Sequence, residues 1–297
     1  MRTEPIRTAG TPVLEITYEQ VGDPAGTPVV LLHGFPYDVR SYDDVASMVA
    51  DAGARVILPY LRGYGPTRFL RDDTMRSGQQ GALGQDLVDL LDALDIERAV
   101  VGGYDWGGRA ACIAAALWPE RIRGLVTVGG YNIQDIAKAT PPQPRDFDPG
   151  QWYQYYLYTE RGREGLSRYR EEFALRLWQL WSPTWTDAAH AFTASATSLH
   201  NPDFVDVVVH SYRHRRGLAA GDSRYDGLEA QLAARPSITV PTIALDALAD
   251  GLGGPDDSSE DRPLFTGGFD IRAVPDAGHD LPQEAPDAFT RAVLDLL

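Results

Sequence analysis

Cysteine is nearly missing from this chain: Cys112 stands alone among 297 residues, so no intramolecular disulfide can form. That fits a reducing compartment. Long apolar runs are missing too. No stretch approaches the ~20 residues that a membrane-crossing helix needs, so no membrane partner is expected. Met1 to Gly10 carries charges and a proline but no apolar run, which argues against a secretory leader. A cytoplasmic location is the expectation. Basic blocks are absent as well: the densest group, Arg213 to Arg216, is short and includes His214. The net charge is -15 and the pI about 4.7. Such a surface repels phosphate backbones, so nucleic acid is not an expected partner. There is no internal repeat and no low-complexity tract.

What is present suits a globular protein with a large core: 43% of residues are hydrophobic and 23% charged. Pro28 to Leu32 is continuously apolar, as a strand buried on both faces is. Arg55 to Leu58, Ala99 to Val101 and Leu125 to Val128 read alike. Leu14 to Glu19 alternates, as an edge strand of an antiparallel pair does. Helical periodicity fills the gaps at Val45 to Ala52, Leu83 to Leu94 and Gly107 to Leu117. This alternation implies an α/β fold with a mostly parallel sheet.

After Tyr131 the strands stop. Prolines cluster at Pro141, Pro142, Pro144 and Pro149, and aromatics follow at Trp152, Tyr153, Tyr155, Tyr156, Tyr158, Phe173, Trp178, Trp181 and Trp185. Asn201-Pro202 is a good helix start. Strand signals resume at Ile238 to Leu245 and at Phe269 to Val274, and Gln283 to Leu297 reads as one closing helix. We therefore expect a core in two parts, 1–132 and 238–297, interrupted by a helical lid over 133–237 at one edge of the sheet. The lid aromatics suit both its own packing and the lining of an apolar pocket.

The sharpest local signal is Gly103-Tyr104-Asp105-Trp106-Gly107, where a buried strand runs straight into an alanine-rich helix. This is the nucleophile-elbow pattern of the α/β-hydrolase fold with Asp in place of Ser. Glycines two residues either side let strand and helix approach. The helix N-terminus favours negative charge there. No G-x-S-x-G occurs, and Gly108 is followed by Arg109 rather than the Lys-Ser or Lys-Thr of a P-loop. Two further segments fit the same fold. His33-Gly34-Phe35-Pro36 follows a buried strand; that turn would supply an oxyanion-hole N–H from Phe35, with a second from Trp106. His33 itself reads as a packed residue that shapes the turn. Ala277-Gly278-His279-Asp280 follows the last strand, so the order is nucleophile, acid, histidine. For the acid, Asp250 is preferred over Asp246, and Asp135 is more distant.

A carboxylate nucleophile selects its chemistry. Serine attacking saturated carbon would leave an ether that water does not readily cleave. A carboxylate leaves an ester, which water can break at the enzyme's own carbonyl. Asp105 is ionised near neutrality and needs no base. His279, oriented by Asp250, is then free to activate water.

Together, His33-Gly34-Phe35-Pro36, Leu61-Arg62-Gly63-Tyr64-Gly65, Asp105-Trp106-Gly107-Gly108 and Gly278-His279 resemble epoxide hydrolases of the α/β-hydrolase fold, and haloalkane and haloacetate dehalogenases share much of the set. The likeness to epoxide hydrolases implies two lid tyrosines that protonate the epoxide oxygen. Tyr153, in Tyr153-Gln154-Tyr155-Tyr156, and Tyr212, before Arg213, match those contexts. The substrate so implied is a small apolar epoxide, opened to a diol. The dehalogenase alternative would hold halide with Trp106 and either Trp152 or Trp185. Arg62 lies in a turn that haloacetate dehalogenases also share, a family whose arginines bind carboxylate. A third reading is a catalytically dead ligand-binding hydrolase fold. His210 and His214 have i, i+4 spacing but no third metal ligand, so no metal and no cofactor is expected. A homodimer is one option the sequence leaves open. Two departures from the family pattern bear on substrate identity: Tyr104 stands where relatives have His, and Asp246-Ala247 replaces a small-Gly turn.

Overall fold

The computed structural model describes residues 6–139 and 149–297. Pro141, Pro142 and Pro144 lie outside the described residues. Nine strands form one sheet: β1 Arg7–Gly10, β2 Leu14–Gly22, β3 Pro28–Leu32, β4 Arg55–Pro59, β5 Arg68–Phe69, β6 Ala99–Gly103, β7 Ile122–Val128, β8 Thr242–Ala247 and β9 Phe269–Val274. Their order is β1-β2-β4-β3-β6-β7-β8-β9, with β5 paired to β2. The run from β4 through β9 is parallel, and β1, β2 and β5 are antiparallel. The central strands are the continuously apolar ones, because helices cover both their faces.

Three helices lie in the first part of the core: α1 Asp43–Asp51, α2 Gln80–Ala93 and α3 Asp105–Leu117. Among the described residues between β7 and β8, seven follow: α4 Ile136–Ala139, α5 Trp152–Leu157, α6 Glu160–Arg168, α7 Arg170–Trp181, α8 Ala188–Ser195, α9 Phe204–His214 and α10 Asp226–Ala233. Two close the chain: α11 Leu281–Glu284 and α12 Pro286–Leu294. α2 packs on α3, and α1 on α12. The two pairs take opposite faces of the sheet. A Cβ at Gly102 would meet Phe289 of α12, while one at its neighbour Gly103 would meet the backbone of α3. α3 buries Ala110, Ala111, Ala114 and Ala115, small residues that bring its axis close to the strands.

Four expectations about single elements need correction, and one about the placement of the insertion. Leu14 to Glu19 is not an edge strand: β2 sits between β1 and β4 and is buried along most of its length. The strand expected from Ile238 starts at Thr242, and Ile238 makes only an isolated bridge to Phe265. The single closing helix is two, because Pro286 takes the first position of α12 and restarts it. Asn201-Pro202 does not open a helix directly, since α9 begins at Phe204. Asn201 instead donates from Nδ2 to Tyr64 O, Gly65 O and Thr67 O, at 3.2, 3.0 and 2.7 Å. Those carbonyls belong to the turn after β4, so Asn201 ties the helical insertion to the core.

The insertion therefore spans the carboxyl ends of the central strands rather than one edge of the sheet. Trp178 Nε1 donates to Pro36 O at 3.1 Å, beyond β3. Asp38, buried in the same loop, accepts from Ser195 Oγ at 2.6 Å and from Ser198 Oγ. In open parallel sheets, that end is where ligand sites form.

Candidate active site

The bend between β6 and α3 has no room for side chains on its flanks. A Cβ at Gly107 would lie 1.9 Å from Leu32 O, and one at Gly103 would lie 2.4 Å from the Gly107 carbonyl carbon. Asp105 itself has φ 48°, a left-handed conformation that costs a non-glycine residue of order 1 kcal/mol or more. The chain accepts that strain and turns the carboxylate outward at the tip. Oδ1 accepts from Phe35 N at 2.7 Å. Gly34 keeps the neighbouring turn close, since a Cβ there would lie 2.6 Å from Asp105 Cβ. The Trp106 amide sits among the first N–H groups of α3, which lack intrahelical acceptors.

His279 and Asp250 converge on this carboxylate. His279 Nδ1 lies 2.7 Å from Asp250 Oδ2, and Asp250 Oδ1 accepts from Leu252 N at 2.6 Å. With Nδ1–H committed to Asp250, Nε2 faces Asp105 Oδ2 at 3.9 Å, too far for a direct hydrogen bond. Nε2 is buried and has no hydrogen-bond partner among the described residues. Burial opposes a charge on both residues, yet each supports the other. Against burial, His279, Arg215 and the Phe35 N–H hold the Asp105 carboxyl below its ordinary range. Against burial, Asp250 and Asp105 hold the His279 imidazole well above its own.

Aromatic rings enclose the pair. Phe35 has ring centroids of Tyr212, Trp106, Trp181, Tyr153 and Phe204 at 5.3, 5.7, 6.2, 6.3 and 6.5 Å. Trp181 also lies 4.9 Å from His279. Tyr153 of α5 and Tyr212 of α9 meet edge to face at 5.2 Å. Tyr153 OH accepts from Gln154 Nε2 at 3.2 Å. Burial pushes its phenol up to about 12; Asp105 adds to this, while Arg215 and the Tyr212 hydroxyl pull the other way. The Tyr212 hydroxyl itself is buried and meets no hydrogen-bond geometry. Trp106 Nε1 is likewise buried and has no hydrogen-bond partner among the described residues.

The structure thus brings Asp105, His279, Asp250, Phe35, Trp106, Tyr153 and Tyr212 together. It leaves the other candidates outside. Asp246 is spent on Ser258, whose N donates at 3.1 Å and whose Oγ donates as well. Asp135 caps a short turn through Lys138 N. Arg62 is 1% exposed and satisfied by Asp86, with Nε and NH2 each at 2.6 Å, so it offers no free guanidinium. Trp152 is 38% exposed and packs on Phe173, and Trp185 stacks on Trp178. Neither makes a ring contact with the groups around Asp105.

The remaining histidines have structural work. His33 Nε2 accepts from Leu61 N at 3.1 Å, and its Nδ1–H therefore donates to Gly34 O at 3.0 Å. Burial lowers its pKa to about 4, so it stays neutral and links two loops. His210 Nδ1 accepts from Gly78 N, and Nε2 reaches Ala220 O at 2.9 Å, which leaves no ring nitrogen for a metal. Among the described residues, no group of three metal-ligating side chains occurs. No described helix is long and apolar enough to cross a membrane.

Ser41 and Arg215 were not assigned to the site from the sequence, and Trp181 and Asp280 were given no individual role there. Tyr104 and Ser41 share a hydrogen bond at 2.7 Å, and Ser41 Oγ donates to Asp280 Oδ2 at 3.0 Å. That chain joins the residue before Asp105 to the residue after His279. Only the departure at Tyr104 hinted at it.

Sheet order, elbow and loop placement define an α/β hydrolase, and residues 27–285 match the family described as the alpha/beta hydrolase fold. The chain belongs to that family. A Klebsiella pneumoniae crystal structure, named a "putative epoxide hydrolase", is 44% identical over 98% of this chain and 96% of that one, with a TM-score of 0.94. Epoxide hydrolase A of Mycobacterium tuberculosis is 31% identical over 51% of this chain and 46% of its own length. An epoxide hydrolase of Caballeronia sordidicola is 37% identical over 34% of this chain and 30% of its own. The matched stretches thus span less than half of these curated relatives.

Proposed function

We propose that the protein hydrolyses an epoxide to a vicinal diol through an ester on Asp105, with residues 133–237 acting as a cap that supplies two acids. One observation carries this: His279 Nε2, oriented by Asp250, stands 3.9 Å from Asp105 with two buried phenols, Tyr153 and Tyr212, in the same aromatic enclosure. The likeness to named epoxide hydrolases supports it.

In the first step the Asp105 carboxylate attacks a ring carbon, and that carbon–oxygen bond breaks. The leaving alkoxide takes a proton from a Tyr153 or Tyr212 phenol, assistance that a halide would not need. The tyrosinate then regains its proton from the His279 imidazolium, and in the second step the neutral His279 Nε2 takes a proton from water. The water oxygen attacks the Asp105 carbonyl carbon, and the resulting oxyanion meets the Phe35 and Trp106 N–H groups. Collapse passes the proton of the added hydroxyl to the departing oxygen, frees the diol, and restores the Asp105 carboxylate beside the re-formed His279 imidazolium. Esterification removes the Asp105 charge that had stabilised that imidazolium. The histidine thus becomes a better base when water must be activated.

The test replaces His279 with Gln, exposes the protein to styrene oxide, and weighs the Asp105 peptide by mass spectrometry. The ester should accumulate there while diol production stops. An unmodified peptide, with the unaltered enzyme making diol from the same epoxide, overturns the mechanism. Carbon–halogen cleavage on the same Asp-His-Asp set is the second reading, favoured by the buried, unpartnered Trp106 Nε1 as a halide donor. Halide release from a haloalkane panel, measured beside diol formation, separates the two. A ligand-binding role without turnover would show neither product.

A further inference from the structure

Two arginines flank this site without a carboxylate partner among the described residues. Arg215, just past α9, is 8% exposed. Its guanidinium carbon lies 4.6 Å from the centre of the Tyr212 ring and 5.8 Å from that of Trp106. Among the described residues, its side chain makes one long hydrogen bond, 3.4 Å to Ser211 Oγ, and its buried Nε has no partner. Arg109 lies one turn beyond Asp105 on α3. It is partly buried and donates from Nε to Asn132 O at 3.3 Å. Burial and then the Arg215 charge hold the pKa of Arg109 below its ordinary value.

The contrast with the other buried arginines is what makes this informative. Arg62 is gripped on two nitrogens by Asp86, and Arg40 is paired with Glu19 and Asp43. The chain has 42 acidic residues against 27 Lys and Arg, so carboxylates are plentiful. A buried cation without a partner is strongly destabilising. The carboxylate whose charge both arginines feel is Asp105. On the reading above, that charge vanishes whenever the ester forms. A bound anion would compensate for it.

We propose that Arg109 and Arg215 form an anion subsite beside the nucleophile, and that the preferred substrates are epoxides carrying a carboxylate rather than neutral apolar epoxides. This rests on the epoxide reading of the site. A planar carboxylate matches the fork of guanidinium donors. The apolar substrate implied by the family resemblance becomes an amphiphile: an oxirane against the aromatic wall and an anion against the arginines.

The experiment has a kinetic arm and a binding arm. Turnover of phenylglycidate is compared with that of phenylglycidamide, its neutral isostere. The acid should win by at least tenfold in kcat/KM, and Arg109→Gln or Arg215→Gln should cut the acid-to-amide ratio at least tenfold. Calorimetry on the resting protein compares phenylacetate with phenylacetamide, and the acid should bind at least tenfold more tightly. Equal turnover of acid and amide overturns the subsite and leaves the epoxide reading standing. An equal loss on both substrates in Arg215→Gln also overturns it, because Arg215 would then act only through Tyr212. Turnover of neither compound, with phenylacetate still preferred in calorimetry, sinks the epoxide reading and keeps the subsite. Should Arg215→Gln fail to fold, the isostere pairs and Arg109→Gln decide alone.

Discussion

Asp105 and His279 hold opposite charges at rest, and each raises the cost of changing the other. Because its carboxyl is held low, Asp105 should remain an anion well into acid. The alkylation rate, followed by stopped-flow tryptophan fluorescence, should therefore stay level from about pH 8 to about pH 5. It should fall only as pH drops through the lowered Asp105 pKa. A decline already at pH 6 would mean that the His279 and Arg215 charges do not reach the nucleophile. The tyrosines make a separate prediction. Tyr212→Phe removes one phenol from ring opening, and losing one such donor costs about 3 kcal/mol. Alkylation by an epoxide should slow roughly a hundredfold in single-turnover measurements. Hydrolysis of an ester already formed should change little. Equal slowing of both steps would make Tyr212 a packing residue. At this scale, Asp105 and His279 were legible because each sits in a short motif with its own backbone demand. Asp250 was separable from Asp246 only by argument about loop length, because the deciding contact spans 29 residues of chain. Arg215 was not legible at all: its stacking on Trp106 and Tyr212 depends on how α9 is seated.

Elements carry the site through steric limits rather than contacts. Gly107 is the tightest case: a methyl group there would overlap Leu32 O at 1.9 Å, and backbone cannot step aside as a flexible side chain can. Gly107→Ala should lower the unfolding free energy by about 4 kcal/mol or more, or prevent accumulation of folded protein. Gly227→Ala, in α10 with nothing near its Cβ, is the control and should be neutral or slightly stabilising. Urea denaturation of both variants checks this, and a stable Gly107→Ala protein would contradict the close strand-to-helix approach. The central strands and α3 were readable because burial on both faces writes itself as a continuous apolar run. The misread elements are those settled by partners far along the chain. β2 alternates in sequence yet is buried because β1 and β4 flank it. Asn201 looks like a helix cap but spends its amide on three carbonyls beyond β4.

For the whole molecule, the buried titrating groups make its stability fall as pH rises from neutral into the mildly alkaline range. Burial raises Asp280 to about 8, and the neighbouring Glu284 charge adds to this. Burial raises Asp256 to about 7, with the Asp250 charge in the same sense. His279 is raised as well. Each of these groups holds a proton in the folded chain at pH values where the unfolded chain has lost it. The stability each contributes is complete below its unfolded pKa, about 4 for the aspartates and about 6.5 for the histidine. It is lost as pH rises through the folded value. Asp105 has the opposite sign, but its window lies below the ordinary carboxylate range; His33, His210 and His214, lowered by burial, also oppose, but only below about pH 6.5. Between about pH 6.5 and pH 8 the unfolding free energy should therefore fall, by about 1.4 kcal/mol per pH unit for each proton the folded state alone retains. Linear extrapolation of urea curves across that range measures it. Asp280→Asn isolates one contribution, because an amide oxygen still accepts from Ser41 and cannot ionise. Its curve should be flatter than that of the unaltered protein above about pH 6. A native profile that rises toward alkaline pH, or an Asp280→Asn profile parallel to it, would mean that Asp280 is ionised in the folded core beside His279.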